Sequence, residues 1–222
     1  MNVSLGYYPY AIILFIMLVT IVAHLYMMSL VKRYSSIHVP IPGNPVSLIS
    51  SLATDICPGL RVQTNRKKFS DCYDAREKVI ILSEQNALYM NVSSLAISFH
   101  EVGHALQARY SSKILSFMKY LHPLTVTSLF ATPTFLVAGL FIHKPLGLVG
   151  LVAYVPFCIY FLATVLLERD ANRRAIALLS GFIEGETLHK AERILVSALN
   201  VYIAFALFTM LMFPLIVQII IE

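Results

Sequence analysis

The residues with the clearest chemistry are His100-Glu101-Val102-Gly103-His104. Histidines four apart stand one turn apart on the same face of an α-helix, where both can present a ring nitrogen to one ion. Glu101 is offset by one residue, beside such an ion but pointing aside, where a carboxylate can take a proton from water. Zinc is the expected metal, since it needs no redox chemistry and lowers the pKa of water toward neutrality. The plainer alternative is a helix whose histidines make ordinary hydrogen bonds at a membrane surface. Gly103 weighs against that alternative. A glycine inside a helix costs about 1 kcal/mol relative to alanine, which implies a compensating close approach by a strand or a substrate.

A catalytic zinc site takes three protein ligands and keeps a position for water. The third is sought in Leu166-Leu167-Glu168-Arg169-Asp170-Ala171-Asn172-Arg173-Arg174. Glu168 stands at the edge of a long apolar run, where a carboxylate is costly to desolvate unless it has a partner. Asp170 is the rival, about 200° around the helix from Glu168. An ion pair with the neighbouring arginines is the alternative role for such an acid. Asn172 shares a face with Glu168 and could orient a ligand histidine. Tyr73, Arg173, Arg174 and His189 are candidates to stabilise an oxyanion. Cys72 is a further metal-ligand candidate, with an idle thiol as the plainer reading.

The elements that must hold these residues are mostly apolar. Of 222 residues, 58% are hydrophobic and 13% charged, about half the charge of a soluble domain. Four uncharged runs, about 10–31, 121–143, 145–167 and 195–221, are each long enough for a helix to cross a bilayer. The whole chain, 1–222, therefore reads as one membrane-embedded domain, mainly α and multi-pass. It has about four transmembrane helices and a small zincin-like α+β segment. Placing 32–120 and 168–194 on the cytoplasmic side puts sixteen of the seventeen Lys and Arg inside and Lys144 alone outside, as the positive-inside rule expects. The N-terminus is then outside, on a retained anchor. Tyr7, Tyr8, Tyr10 and Tyr120 suit the membrane interface, and His24, His38, His122 and His143 read as interfacial or packed. The net charge of +5 follows from topology and anionic lipid, with no nucleic-acid partner needed. Three cysteines without a CxxC motif suit free thiols in a reducing compartment.

Within 32–120, the apolar stretch 46–56 reads as a short helix after the Pro40–Pro45 segment. Leu60–Thr64 and Lys78–Leu82 read as an antiparallel strand pair with a long connection. The Lys78–Leu82 strand precedes the helix with the histidines, so it is the candidate to take an extended substrate as an added strand. Asn91-Val92-Ser93-Ser94 supplies cap residues for a helix over Leu95–Tyr110.

Three blocks, Asp71–Glu84, Ser98–Gln107 and Glu168–Leu179, resemble in order the bacterial YugP-type family of neutral zinc metallopeptidases, which are multi-pass membrane proteins. The resemblance runs from the first span to about residue 194. More distantly, the chain is similar to CAAX-processing and heat-shock-type membrane peptidases with HExxH and a later ExxxD. The resemblance implies His100, His104 and Glu168 as ligands of one Zn2+, Glu101 as general base and a location in the bacterial cell membrane. Asn172 stands where ExxxD has its aspartate, and Cys72 where the family usually has a histidine. The implied activity is hydrolysis of peptide or protein substrates at the cytoplasmic membrane surface. A metal-binding, non-proteolytic scaffold, such as an immunity or chaperone-type protein, is the alternative, but it has no use for a base between its ligands. An intramembrane protease would need the motif inside a span, whereas Arg109 and Lys113 follow it. A transporter would need paired charges inside the spans.

Overall fold

The computed structural model describes residues 8–67, 70–110 and 113–221. Tyr7 lies outside them, and the side chains of Tyr8 and Tyr10 are likewise not described. Apart from Ile142 and His143, the apolar runs become helix, and each helix extends past its run on at least one side. They are α1 (Tyr8–Tyr34), α5 (Lys113–Phe141), α6 (Lys144–Leu179) and α7 (Gly185–Ile221), all long and apolar enough to cross a membrane. Between α1 and α5 lie α2 (Pro45–Ile56), β1 (Arg61–Asn65), β2 (Cys72–Asp74), β3 (Val79–Ser83), α3 (Glu84–Leu88) and α4 (Val92–Arg109). The charged stretch after residue 167 is thus no loop. It continues α6 for about three turns.

The chain divides into two compact units. One contains residues 1–24, 116–166 and 200–222. Its α5–α6 hairpin closes backbone on backbone, for a Cβ on Gly139 would lie 2.5 Å from the Cα of Gly147. The Tyr154 hydroxyl donates to the Thr209 carbonyl at 2.9 Å, and Phe161 packs on Phe205. Most large apolar side chains on these helices, Leu14, Phe130, Phe141 and Val152 among them, are exposed.

The other unit contains residues 25–115 and 167–199, and α4 runs through its core. Leu95, Ala96, Phe99, Val102 and Ala105 are fully buried, and Ser93, Ser94, Ser98 and Gln107 are buried with them, so this helix is covered on nearly all sides. It packs in one cluster with Ile49, Ile80, Leu82, Ala175, Leu179, Ala191 and Leu195. Its start is set by Asn91, whose side chain accepts from the Ser94 amide, and its end by Arg109, which donates to the carbonyls of Asp55 and Ile56 closing α2. For α2, Asn44 and Ser47 form a capping box ahead of Pro45 in the first turn, the position where a missing amide proton costs nothing.

The sheet corrects the expected strand pairing. Its order is β1-β3-β2, with β1 parallel to β3 from Arg61↔Val79 to Asn65↔Ser83. Instead, β2 supplies the antiparallel partner, from Cys72↔Ile81 to Asp74↔Val79. The polar connection expected to be loop therefore holds the return strand. Both β1's end and β2's start lie at the same end of β3, so a few residues bridge them, and a tight turn leads back into β3. The Asp74 carboxylate accepts from the amides of Arg76 and Glu77, and Lys78 completes the turn at φ 52°. Asp71 pins the other end, accepting from the Ser83 amide and hydroxyl and from Asn86 Nδ2.

Candidate metal centre

Helix spacing puts His100 and His104 on one face of α4, and α6 brings Glu168 against them. His100 Nε2 lies 3.2 Å from His104 Nε2. The two Glu168 oxygens lie 3.2 Å from His100 Nε2 and 3.7 Å from His104 Nε2. Ligands about 2.05 Å from a tetrahedral zinc stand roughly 3.3 Å apart, so the triangle has the size that zinc requires. Among the described residues, these three make the group able to hold a metal ion.

The hydrogen bonds on the far side of each ring decide what the Nε2 atoms present. His100 Nδ1 meets Asn172 Oδ1 at 2.8 Å, while Asn172 Nδ2 donates to the Leu195 carbonyl. An amide whose NH2 is committed to a carbonyl offers its ring partner an acceptor, so Nδ1 carries the proton and Nε2 a lone pair. His104 Nδ1 has the same relation to Gln107 Oε1, at 3.0 Å. Two lone pairs and a buried carboxylate then face one point, which only a proton or a cation can satisfy. His100 registers that demand. Burial works against its charged form, yet the bond to Glu168 and the Glu101 charge outweigh burial and raise its pKa. His104 goes the other way, lowered by burial and then by His100, which suits a neutral metal ligand.

Glu101 lies beside this triangle, 7% exposed. Burial pushes its pKa up to about 7, helped by Glu168 and Asp71 and opposed by His100 and the Tyr73 amide, which donates to it. That amide belongs to β2, an edge strand of the sheet, whereas β3 is flanked on both sides. The expectation that Lys78–Leu82 could take an added strand therefore falls, because its edges are used. The free edge next to Glu101 is β2.

Gly103 is explained, though by a helix and not by a strand or substrate. A Cβ there would lie 2.4 Å from the Ala171 carbonyl oxygen, so the missing side chain lets the backbones of α4 and α6 touch where Glu168 must reach the histidines. Asp170, the rival ligand, lies apart from the triangle and accepts from Gln107, Arg173 and Arg174. Burial raises its pKa, but these donors outweigh burial and hold it low. The four oxyanion candidates have different surroundings. Arg173 and Arg174 bond Asp170, exposed His189 pairs with Glu192, and the Tyr73 ring packs on the core. Cys72 is exposed on β2. Partial desolvation, then the Glu101, Asp74 and Asp71 charges, raise the pKa of its thiol. The residue missed in the sequence is Gln107. Its signal was position, three residues after His104 on the same helix face.

A family model described as "Putative neutral zinc metallopeptidase" matches residues 9–221. A curated relative from Bacillus subtilis (strain 168), "Putative membrane protease YugP", is 29% identical over 150 residues, which cover 66% of this chain and 66% of the relative. The chain thus spans about two thirds of that relative's length. No solved structure matches the chain.

Proposed function

Because the chain belongs to the neutral zinc metallopeptidase family, we propose that it is a membrane endopeptidase cutting peptides or proteins near the cytoplasmic surface. One observation carries this reading most. Three donor atoms of zinc-ligand type converge at zinc spacing next to a buried carboxylate, Glu101. His100, His104 and Glu168 would hold one Zn2+ per chain. When bound, that ion supplies Lewis-acid polarisation of the scissile carbonyl and of the attacking water.

The remaining steps belong to the chain's own residues. Glu101 takes a proton from water as its oxygen bonds to the carbonyl carbon, then delivers that proton to the amine nitrogen as the C–N bond breaks. Its burial, 7% exposed, keeps bulk water from competing for that proton. The Tyr73 amide fixes the Glu101 carboxylate, which sets the base beside the edge strand β2. A chain that exposes so much apolar side-chain surface on four long helices is better matched to lipid than to water. The distribution of Lys and Arg supports a cytoplasmic site and an outward N-terminus.

The ligand assignment is tested by metal content. Glu168→Ala should lower zinc occupancy of the purified protein by an order of magnitude or more, whereas Asp170→Ala should retain most of it. The reverse result sinks the assignment.

A further inference from the structure

Gln107 is fully buried, yet the chemistry assigned to His100, Glu101, His104 and Glu168 makes no use of it. A buried carboxamide is costly unless its donors and acceptor are all engaged, and Gln107 achieves this by reaching from α4 to α6. Its Nε2 donates to the Leu167 carbonyl at 2.8 Å and to Asp170 Oδ2 at 3.0 Å. Its Oε1 is left for His104 Nδ1. Arg173 and Arg174 hold Asp170 in turn, each at 2.8 Å. The order Arg173/Arg174–Asp170–Gln107–His104 has one consistent polarity, since every link has a donor facing an acceptor. Reversing the amide would set its NH2 against the Nδ1 proton and its oxygen against the Asp170 carboxylate. Asn172 repeats the device for His100, anchored on the Leu195 carbonyl.

We propose that Gln107 is a positioning residue that fixes the tautomer and ring orientation of His104 for the metal, with Asp170 acting through it. This rests on reading the His100–His104–Glu168 triangle as a metal site. It gives the rival acid a task without making it a ligand, and it accounts for a buried glutamine beside the motif. It also means that both ligand histidines are backed by neutral carboxamides, where a carboxylate would make the ring a stronger donor.

The test uses the full chain in detergent at one pH. Zn2+ affinity is read by competition with a chromophoric chelator, and site geometry by the visible absorption of bound Co2+. Gln107→Leu keeps the volume and removes every hydrogen bond. It should weaken Zn2+ binding about 10–100-fold and alter the Co2+ band. Gln107→Met, closer in shape to glutamine, likewise removes every hydrogen bond and should weaken Zn2+ binding by a similar factor. A merely structural glutamine would lower the melting temperature of Gln107→Leu but leave Zn2+ affinity and the Co2+ spectrum unchanged, which overturns the proposal. If Gln107→Leu does not fold, Gln107→Met decides, because Zn2+ affinity and a Co2+ spectrum equal to the parent's overturn the proposal. Failure of the parent itself to bind Zn2+ or Co2+ overturns the metal reading, and the proposal with it.

Discussion

Removing the charge of Glu101 should stabilise the metal-free protein. The group is 7% exposed, and its pKa rises from 4.5 to about 7 on folding. An acid whose folded pKa is raised binds a proton more tightly in the native state. Its favourable contribution is therefore complete below pH 4.5 and lost as pH rises through about 7. A shift of about 2.5 units corresponds to about 3 kcal/mol at 1.36 kcal/mol per unit. Glu101→Gln is near-isosteric, keeps an oxygen for the Tyr73 amide and has no charge to desolvate. At pH 8 the metal-free variant should melt roughly 6–12 °C above the metal-free parent, with the difference vanishing toward pH 4. The assay is thermal unfolding in detergent after chelation, across that pH range, read as variant minus parent so that other titrating groups largely cancel. A difference that is flat with pH, or a variant less stable at pH 8, would refute the claim that α4 buries Glu101 at a cost.

Two further outcomes follow from the packing and the charge distribution. Gly103→Ala should lose more to overpacking against the Ala171 carbonyl, typically about 1–3 kcal/mol, than the roughly 1 kcal/mol it gains in helix propensity. It should also part Glu168 from the histidines, so a raised melting temperature with unchanged zinc content would contradict the described contact. Cys72 is the exposed native thiol, while Cys57 is buried. A membrane-impermeant maleimide should spare Cys72 in intact cells and label it after permeabilisation, slowly below pH 8 because its pKa is raised. Labelling in intact cells would reverse the proposed orientation.

How much could be read before folding depended on how local each signal was. The i, i+4 histidines act within one helix and share a face of α4, while the cap segment Asn91–Ser94 pointed to a start at Leu95, three residues after the observed Val92. Glu168 could be placed because the α5–α6 hairpin is tight and the acid ends an apolar run. The strand pairing could not, since β2 is three polar or half-buried residues held by β3 and by Asp71, not by its own propensity. Without β2 the antiparallel reading of β1 with β3 was the natural one. Gly103 showed that something approaches α4, but a lone glycine does not reveal whether strand, substrate or helix does so. Gln107 and Asn172 illustrate the same limit. Their spacing puts them near the histidines, while their roles depend on acceptors 60 and 23 positions away in the chain.

The central claim, that Glu101 is the base of a zinc peptidase and not an ornament of a metal-binding scaffold, is tested most directly by one paired measurement. Zinc per chain and peptide cleavage are determined on the same preparations of the parent and of Glu101→Gln. The account predicts about one zinc per chain in both, cleavage by the parent, and a loss of at least about 100-fold in kcat/KM in the variant. Equal cleavage by both preparations, or a parent that holds zinc and cuts no peptide offered from either face of the membrane, would contradict it.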